Sequence, residues 1–320
     1  MTSTASGLYE ALITQYLAQV EADQEPYYSV VSSLRGYAGS IWSDAGDANQ
    51  HVQRLLSSGR GEALDALGQQ WDKVMNQDVR SISHAAQVTA AAADEIAMTI
   101  ATTKAQIVEI AAECAEITVA GLAAGALTFG ASDGIVASAI SNAQAMSQAV
   151  VSKCAQNIMS TLSQVQRDPS VAPLESIAAG LAGAIGGQAR DGAADAGTGR
   201  AWGNDVAAGS GRAIAEGISV DHAEHERAAG RLREVAVEVF GTTAGRLSEA
   251  ANHHATAAAS GELGAAIASV LNTVLDDLAK GTNAFGDYLS GALPDGILLI
   301  SSSQQATDDA GRKRMSELDR

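Results

Sequence analysis

The chain has 320 residues, with 37 Asp and Glu against 20 Lys and Arg, for a net charge of −17. That balance argues against nucleic-acid binding, which needs clustered cations, and against docking by charge on an anionic membrane. Hydrophobic residues make up 46% but aromatics only 4%, so the core must be built from Ala, Ile, Leu and Val. The length suffices for one large or two medium domains.

The N-terminal stretch MTSTASGLYEALITQYL has neither a basic n-region nor an apolar h-region, so it does not read as a Sec signal. The longest uncharged apolar run, 117–132, spans 16 residues and falls short of a confident membrane-crossing helix. The chain is therefore expected to be soluble when made. Export would use a route that reads no cleavable signal; otherwise the chain stays in the cytoplasm.

A first helix is predicted from Pro26 through Val30, Leu34, Tyr37, Ile41, Trp42, Val52, Leu55 and Leu56, broken by Ser57-Ser58-Gly59-Arg60-Gly61. The next begins with Glu62, Ala63, Leu64, Leu67 and Trp71 and continues into a long uncharged seam. That seam is Met75, Val79, Ile82, Ala86, Thr89, Ala93, Ile96, Ile100, Thr103, Ile107, Ile110, Cys114 and Ile117. Steps of four and three are the a/d rhythm of a helix packed along its length. At ~1.5 Å per residue the rod is roughly 65 Å long. The seam reads either as plain core or as a surface for a partner helix.

Residues 117–140 form an apolar hairpin tip with its turn around Phe129–Gly134. Leu122, Leu127, Phe129, Ile135 and Val136 are the side chains that a membrane-inserting tongue would use; the alternative is an ordinary buried helix-turn-helix. Asp133 is the only charge between Glu116 and Lys153, and an isolated charge at the tip would have to cross a bilayer or stay at its far interface. A returning helix carries Ile140, Ala143, Val150, Val151, Cys154, Ile158, Leu162 and Val165 and stops before Asp168-Pro169. Cys114 and Cys154 each lie 20 residues from Gly134, so a turn at that glycine would allow a cross-hairpin disulfide. A turn at 131 shifts the register by about 9 Å and excludes it, leaving two buried thiols.

Residues 168–218 are glycine-rich and read as a linker, or else as a patch of small residues packed against another helix. A second, smaller hairpin follows over 219–320. Asp221 and Glu224 have capping-box spacing, and Leu232, Val235 and Val239 continue an apolar face. After Ser260-Gly261 comes a helix with Leu263, Ile267, Val270, Val274, Leu278 and Phe285. Beyond Pro294 a tail holds the apolar run Ile297–Ile300 and a charged end. The fold expected is all-α, with a long hairpin over 1–167 joined to the smaller one.

The segment Gly61-Glu62-Ala63-Leu64-Asp65-Ala66-Leu67-Gly68-Gln69-Gln70-Trp71, with Trp42 on the preceding helix, resembles the Trp-X-Gly helical-hairpin family of type VII secretion substrates. The apolar Gly/Ala hairpin is similar to the longer actinobacterial members, whose hairpin domains often precede toxin domains. The Ser260-Gly261-Glu262-Leu263-Gly264 turn is similar to secretion-associated Esp-type proteins of the same systems. The resemblance implies a secreted or cell-surface protein that binds a helical partner, either a cognate secretion partner or a second copy. Two departures stand out. Gly59 occupies the slot of the family's turn tryptophan, and no tyrosine is followed four residues later by Asp or Glu, the family's export signal.

No chemistry-bearing motif is found. There is no Gly-x-Ser-x-Gly elbow, no phosphate loop ending in Gly-Lys-Ser/Thr and no dinucleotide pattern, so neither a cofactor nor enzymatic activity is expected. His222 and His225 are separated from His253-His254 by about 42 Å on a continuous helix, and they read as a solvated, capped first turn rather than a metal site. The expected role is a non-enzymatic interaction protein, with a helical pore-forming component that inserts 117–140 as the alternative.

Overall fold

The computed structural model describes residues 23–128, 132–186, 221–259 and 261–318. Every element among them is helical, as the all-α reading expects. In chain order these are α1 (Glu25–Ser58), α2 (Glu62–Lys73), a π-helical turn π1 (Val74–Val79), α3 (Arg80–Thr128) and α4 (Ser132–Arg167). They are followed by α5 (Leu174–Gly186), α6 (His222–Glu238), π2 (Val239–Thr243) and α7 (Ala244–Ala258). The last are α8 (Gly261–Asp287), π3 (Tyr288–Ala292) and α9 (Leu293–Leu318).

The break between α1 and α2 rests on Gly61, whose φ of 148° and ψ of 158° belong to a region that essentially only glycine enters. Its carbonyl accepts the amides of Leu64 and Asp65 at 3.0 and 3.1 Å, which starts α2. Asp221 caps α6 as expected, its carboxylate accepting from the Glu224 amide at 3.2 Å. The reciprocal half of the predicted capping box is absent, because the Glu224 carboxylate pairs with Arg227 instead.

The helices divide into two compact units. Unit 1 comprises Met1–Ser32, Val88–Arg167 and Glu249–Thr273; unit 2 comprises Ser33–Gln87, Asp168–Ser248 and Val274–Arg320. These are not the modules 1–167 and 219–320 expected from the sequence, since each unit takes segments from both predicted hairpins. A composition shift marks where a chain changes character, but helices group by which apolar stripes meet in space.

Within unit 1 the core is aliphatic and small: Ile96, Ala97, Ile100, Ile107, Ala111 and Cys114 of α3 meet Ala139, Ala143, Cys154, Ile158 and Leu162 of α4. Tyr27 of α1 and Ala257, Ile267 and Leu271 of the α7–α8 hairpin complete it. That hairpin closes tightly at Gly264, where a Cβ would meet the Ala258 carbonyl oxygen at 2.9 Å. Small side chains let helices approach closely, which is how a chain poor in aromatics still reaches interior packing density.

Unit 2 pairs its helices through directed bonds. The Ser83 hydroxyl donates to the Ala38 carbonyl at 3.1 Å and Trp71 Nε1 donates to Asn49 Oδ1 at 2.8 Å, so α1 runs antiparallel to the α2–α3 rod. Tyr37 and Thr282 share a buried hydrogen bond of 2.6 Å between α1 and α8. Thr243 donates to Asp44 at 2.6 Å and Arg246 to the Gly36 carbonyl at 3.0 Å, placing α6–α7 antiparallel to α1. His222 meets Ser301 at 2.6 Å and Arg233 reaches Asp295 at 2.8 Å, so α6 is also antiparallel to α9.

Two sequence expectations change here. The first part of the supposed linker is the helix α5, which buries Leu174, Ile177, Ala178 and Leu181 in unit 2. Its four buried side chains at three- and four-residue spacing outweigh the helix cost of its glycines. The residues beyond Pro294 are not a tail but the 26-residue helix α9. Pro294 has no amide hydrogen, so the Ser290 carbonyl loses its usual donor. Arg233 Nε donates to that carbonyl at 3.3 Å, and the chain passes through π3 into α9 without a break.

Candidate interaction groove

The long seam is mostly core. Val79, Ile82, Ile96, Ile100, Ile107 and Ile110 are all buried. Met75 is only half-buried, because Val74 takes the inward position. The π1 turn adds a residue to the helical repeat, so the seam's phase slips by one ahead of Val79. At the other end Ile117 is 49% exposed and Thr118 is buried in its place. A strict seven-residue pattern drifts by about 20° per heptad on a straight α-helix. By Ile117 that drift has carried the seam off the buried face.

Leu122, Leu127, Phe129, Ile135 and Val136, the residues of the expected membrane tip, have side chains outside the described residues. No helix among the described residues is long and apolar enough to cross a membrane. Cys114 and Cys154 are free, buried thiols, which corrects the disulfide expected from a turn at Gly134. Helix α3 ends at Thr128 and α4 begins at Ser132, so the turn lies earlier than that. Cys154 hydrogen-bonds the Thr103 side chain, 11 residues before Cys114, or about 16 Å along α3.

What the seam leaves open is a groove of about 380 Å³ between α3 and α4, within unit 1. Its floor is Ile110, Met146 and Val150; Met146 is 50% exposed. Gln106, Glu109 and Glu113 line the α3 wall, and Lys153 stands on the α4 side. The two glutamates are four residues apart and exposed, with no ion pair among the described residues. None of these was singled out from sequence as a site. The available signal was the Glu109/Glu113 spacing beside the buried seam, which also fits an ordinary solvated helix face.

A second, wider cleft of about 800 Å³ lies at the α1–α2 turn, lined by Leu56, Arg60, Gly61, Asp65 and Gln69 among others. It is polar and open, and it adjoins the segment that carries the Trp-X-Gly resemblance. Of that segment's aromatics, Trp71 is fully buried, whereas Trp42 is 47% exposed.

The histidines do not converge. His225 is buried at the start of α6 with Nδ1 on the Asp221 carbonyl at 2.9 Å, while His222 bonds Ser301. His254 is buried in unit 1, its ring 6.3 Å from that of Tyr27. Burial holds both buried imidazoles below their ordinary pKa and pushes the Tyr27 hydroxyl up to about 12. Among the described residues no group of three or more His, Cys, Asp or Glu is placed to hold a metal ion. No family model, curated protein or solved structure matches the chain.

Proposed function

We propose that this chain is a non-enzymatic interaction protein that works by helix-on-helix binding to a protein partner, similar in kind to the Trp-X-Gly substrates of type VII secretion systems. The observation that carries the reading is the α3–α4 groove. Its floor of Ile110, Met146 and Val150 remains open although the rest of the seam is covered. A shallow apolar floor between two parallel ridges of side chains is the shape that accepts the apolar face of another helix. Export by a route independent of a cleavable signal belongs to the same reading and rests on the resemblance alone.

The test compares wild type with Met146→Glu in affinity co-purification from the native host. A helical protein retained in fixed stoichiometry by wild type and lost from the variant is the expected result. Equal retention by both would overturn the reading. So would dye release from liposomes with residues 117–140 protected from protease, which would make the chain a membrane-active component.

A further inference from the structure

The last part of α9 is built unlike any other helix of the molecule. From Asp308 to Glu317 every residue is exposed, on all sides of the helix. A ten-residue helix without packing is marginal in water, because nucleation is costly and little else offsets it. Local support comes from Gln304 with Asp308 and Asp309 with Arg312. The same stretch holds Arg312-Lys313-Arg314, the one run of three consecutive cations in a chain of net charge −17. Met315, 69% exposed, adjoins it.

We infer that this end of α9 docks in the α3–α4 groove of a second copy of the chain. The inference rests on the partner-binding reading and names the partner. Charge complementarity carries it. At about 100° per residue, Met315 lies on the helix between Arg314 on one side and Asp309 on the other. With Met315 on the floor formed by Ile110, Met146 and Val150, Arg314 faces the Glu109 and Glu113 wall and Asp309 faces Lys153. The reverse orientation sets like charges against each other, which fixes the direction of docking. At physiological salt the screening length is about 8 Å, so the mutual repulsion of two acidic copies is damped while pairs in contact persist. The two surfaces differ, so the contact is head-to-tail and forms a closed ring or an open chain.

Light scattering coupled to size exclusion, on the full chain over a concentration series at low and high salt, tests this. A mass that rises with concentration and falls with salt is expected. Glu109→Lys with Glu113→Lys should weaken association about tenfold or more, and so should Lys313→Glu with Arg314→Glu. Mixing the two variants should restore it, because each then supplies the surface the other lacks. All four positions are exposed, so circular dichroism should show both variants folded. A chain that stays monomeric throughout, or association unaffected by the reversals, or no restoration on mixing, overturns the second-copy proposal. If Met146→Glu still loses a different protein in that event, the broader reading survives without it.

Discussion

In unit 2 the helices are joined by Trp71 to Asn49, Tyr37 to Thr282, Thr243 to Asp44 and Arg233 to Asp295. In the described part of unit 1, packing is carried by Ala, Ile, Leu and Cys, with Lys104 bonded to Gln24 at 2.8 Å where α1 begins. Both solutions bury an amphipathic stripe, but they specify it differently. Directed bonds between particular side chains set helix register and leave little room for sliding, since an unpaired buried polar group costs about 1–3 kcal/mol. A surface of small aliphatic residues accepts neighbouring registers more evenly. Unit 2 also contains all three π turns, each where the chain must change phase to keep its bonding residues inward.

The largest effect expected from breaking this contrast is at Trp71. Trp71→Ala should cost about 3–5 kcal/mol, as large-to-small changes in a packed core do, and should also leave Asn49 without its donor. Denaturant melts give the magnitude, and amide hydrogen exchange should place the loss in unit 2.

Next come the two glycines. Gly61→Ala forces a side chain into a backbone region it avoids, at a cost of about 1–3 kcal/mol in unit 2. Gly264→Ala drives a methyl into the Ala258 carbonyl and should loosen the α7–α8 hairpin of unit 1. Exchange protection lost in the same unit for both variants would dissolve the distinction between the units.

Acid should separate them more gently. Burial lowers the His254 pKa, so folded unit 1 binds fewer protons than the unfolded chain. The stability this contributes is complete above about pH 6.5 and is lost as pH falls below it. Unit 2 has similarly lowered His225 and His51, but burial raises Asp44, and raises Asp78 to about 6. A raised carboxyl works in the opposite sense: its contribution is lost as pH rises through about 6 and regained on acidification. Between pH 7 and 5 unit 1 should therefore lose protection first, and His254→Gln should flatten its pH dependence. Equal losses in both units would contradict this.

The smallest expected effect is none. Because Cys114 and Cys154 are free and buried, reductant should leave the melting temperature unchanged, and a thiol reagent should react only on unfolding. A melting temperature that falls with reductant would mean the thiols are bonded after all.

Much of the fold was legible because helical periodicity is local. The α1–α2 break at Gly61, the inward Trp71, the cap at Asp221 and the seam from Val79 to Cys114 follow from neighbours within a few residues of one another. The groove was much less legible. Glu109, Glu113 and Lys153 look like any solvated charges until α4 is set beside α3, and Met146 looks like core until its exposure is known.

The sequence by itself determined that this chain is helical, where most helices start, and which stripe of α3 turns inward, because propensity, capping and period act over one or two turns. Tertiary structure decided the rest. It joined segments of both predicted hairpins in each unit, folded α5 out of a glycine-rich stretch and carried α9 through Pro294. It also set the seam's phase at Met75 and Ile117 and kept Cys114 away from Cys154. Each of these depends on which residues far apart in the chain meet, and the free energy of that meeting belongs to the pair rather than to either stretch alone.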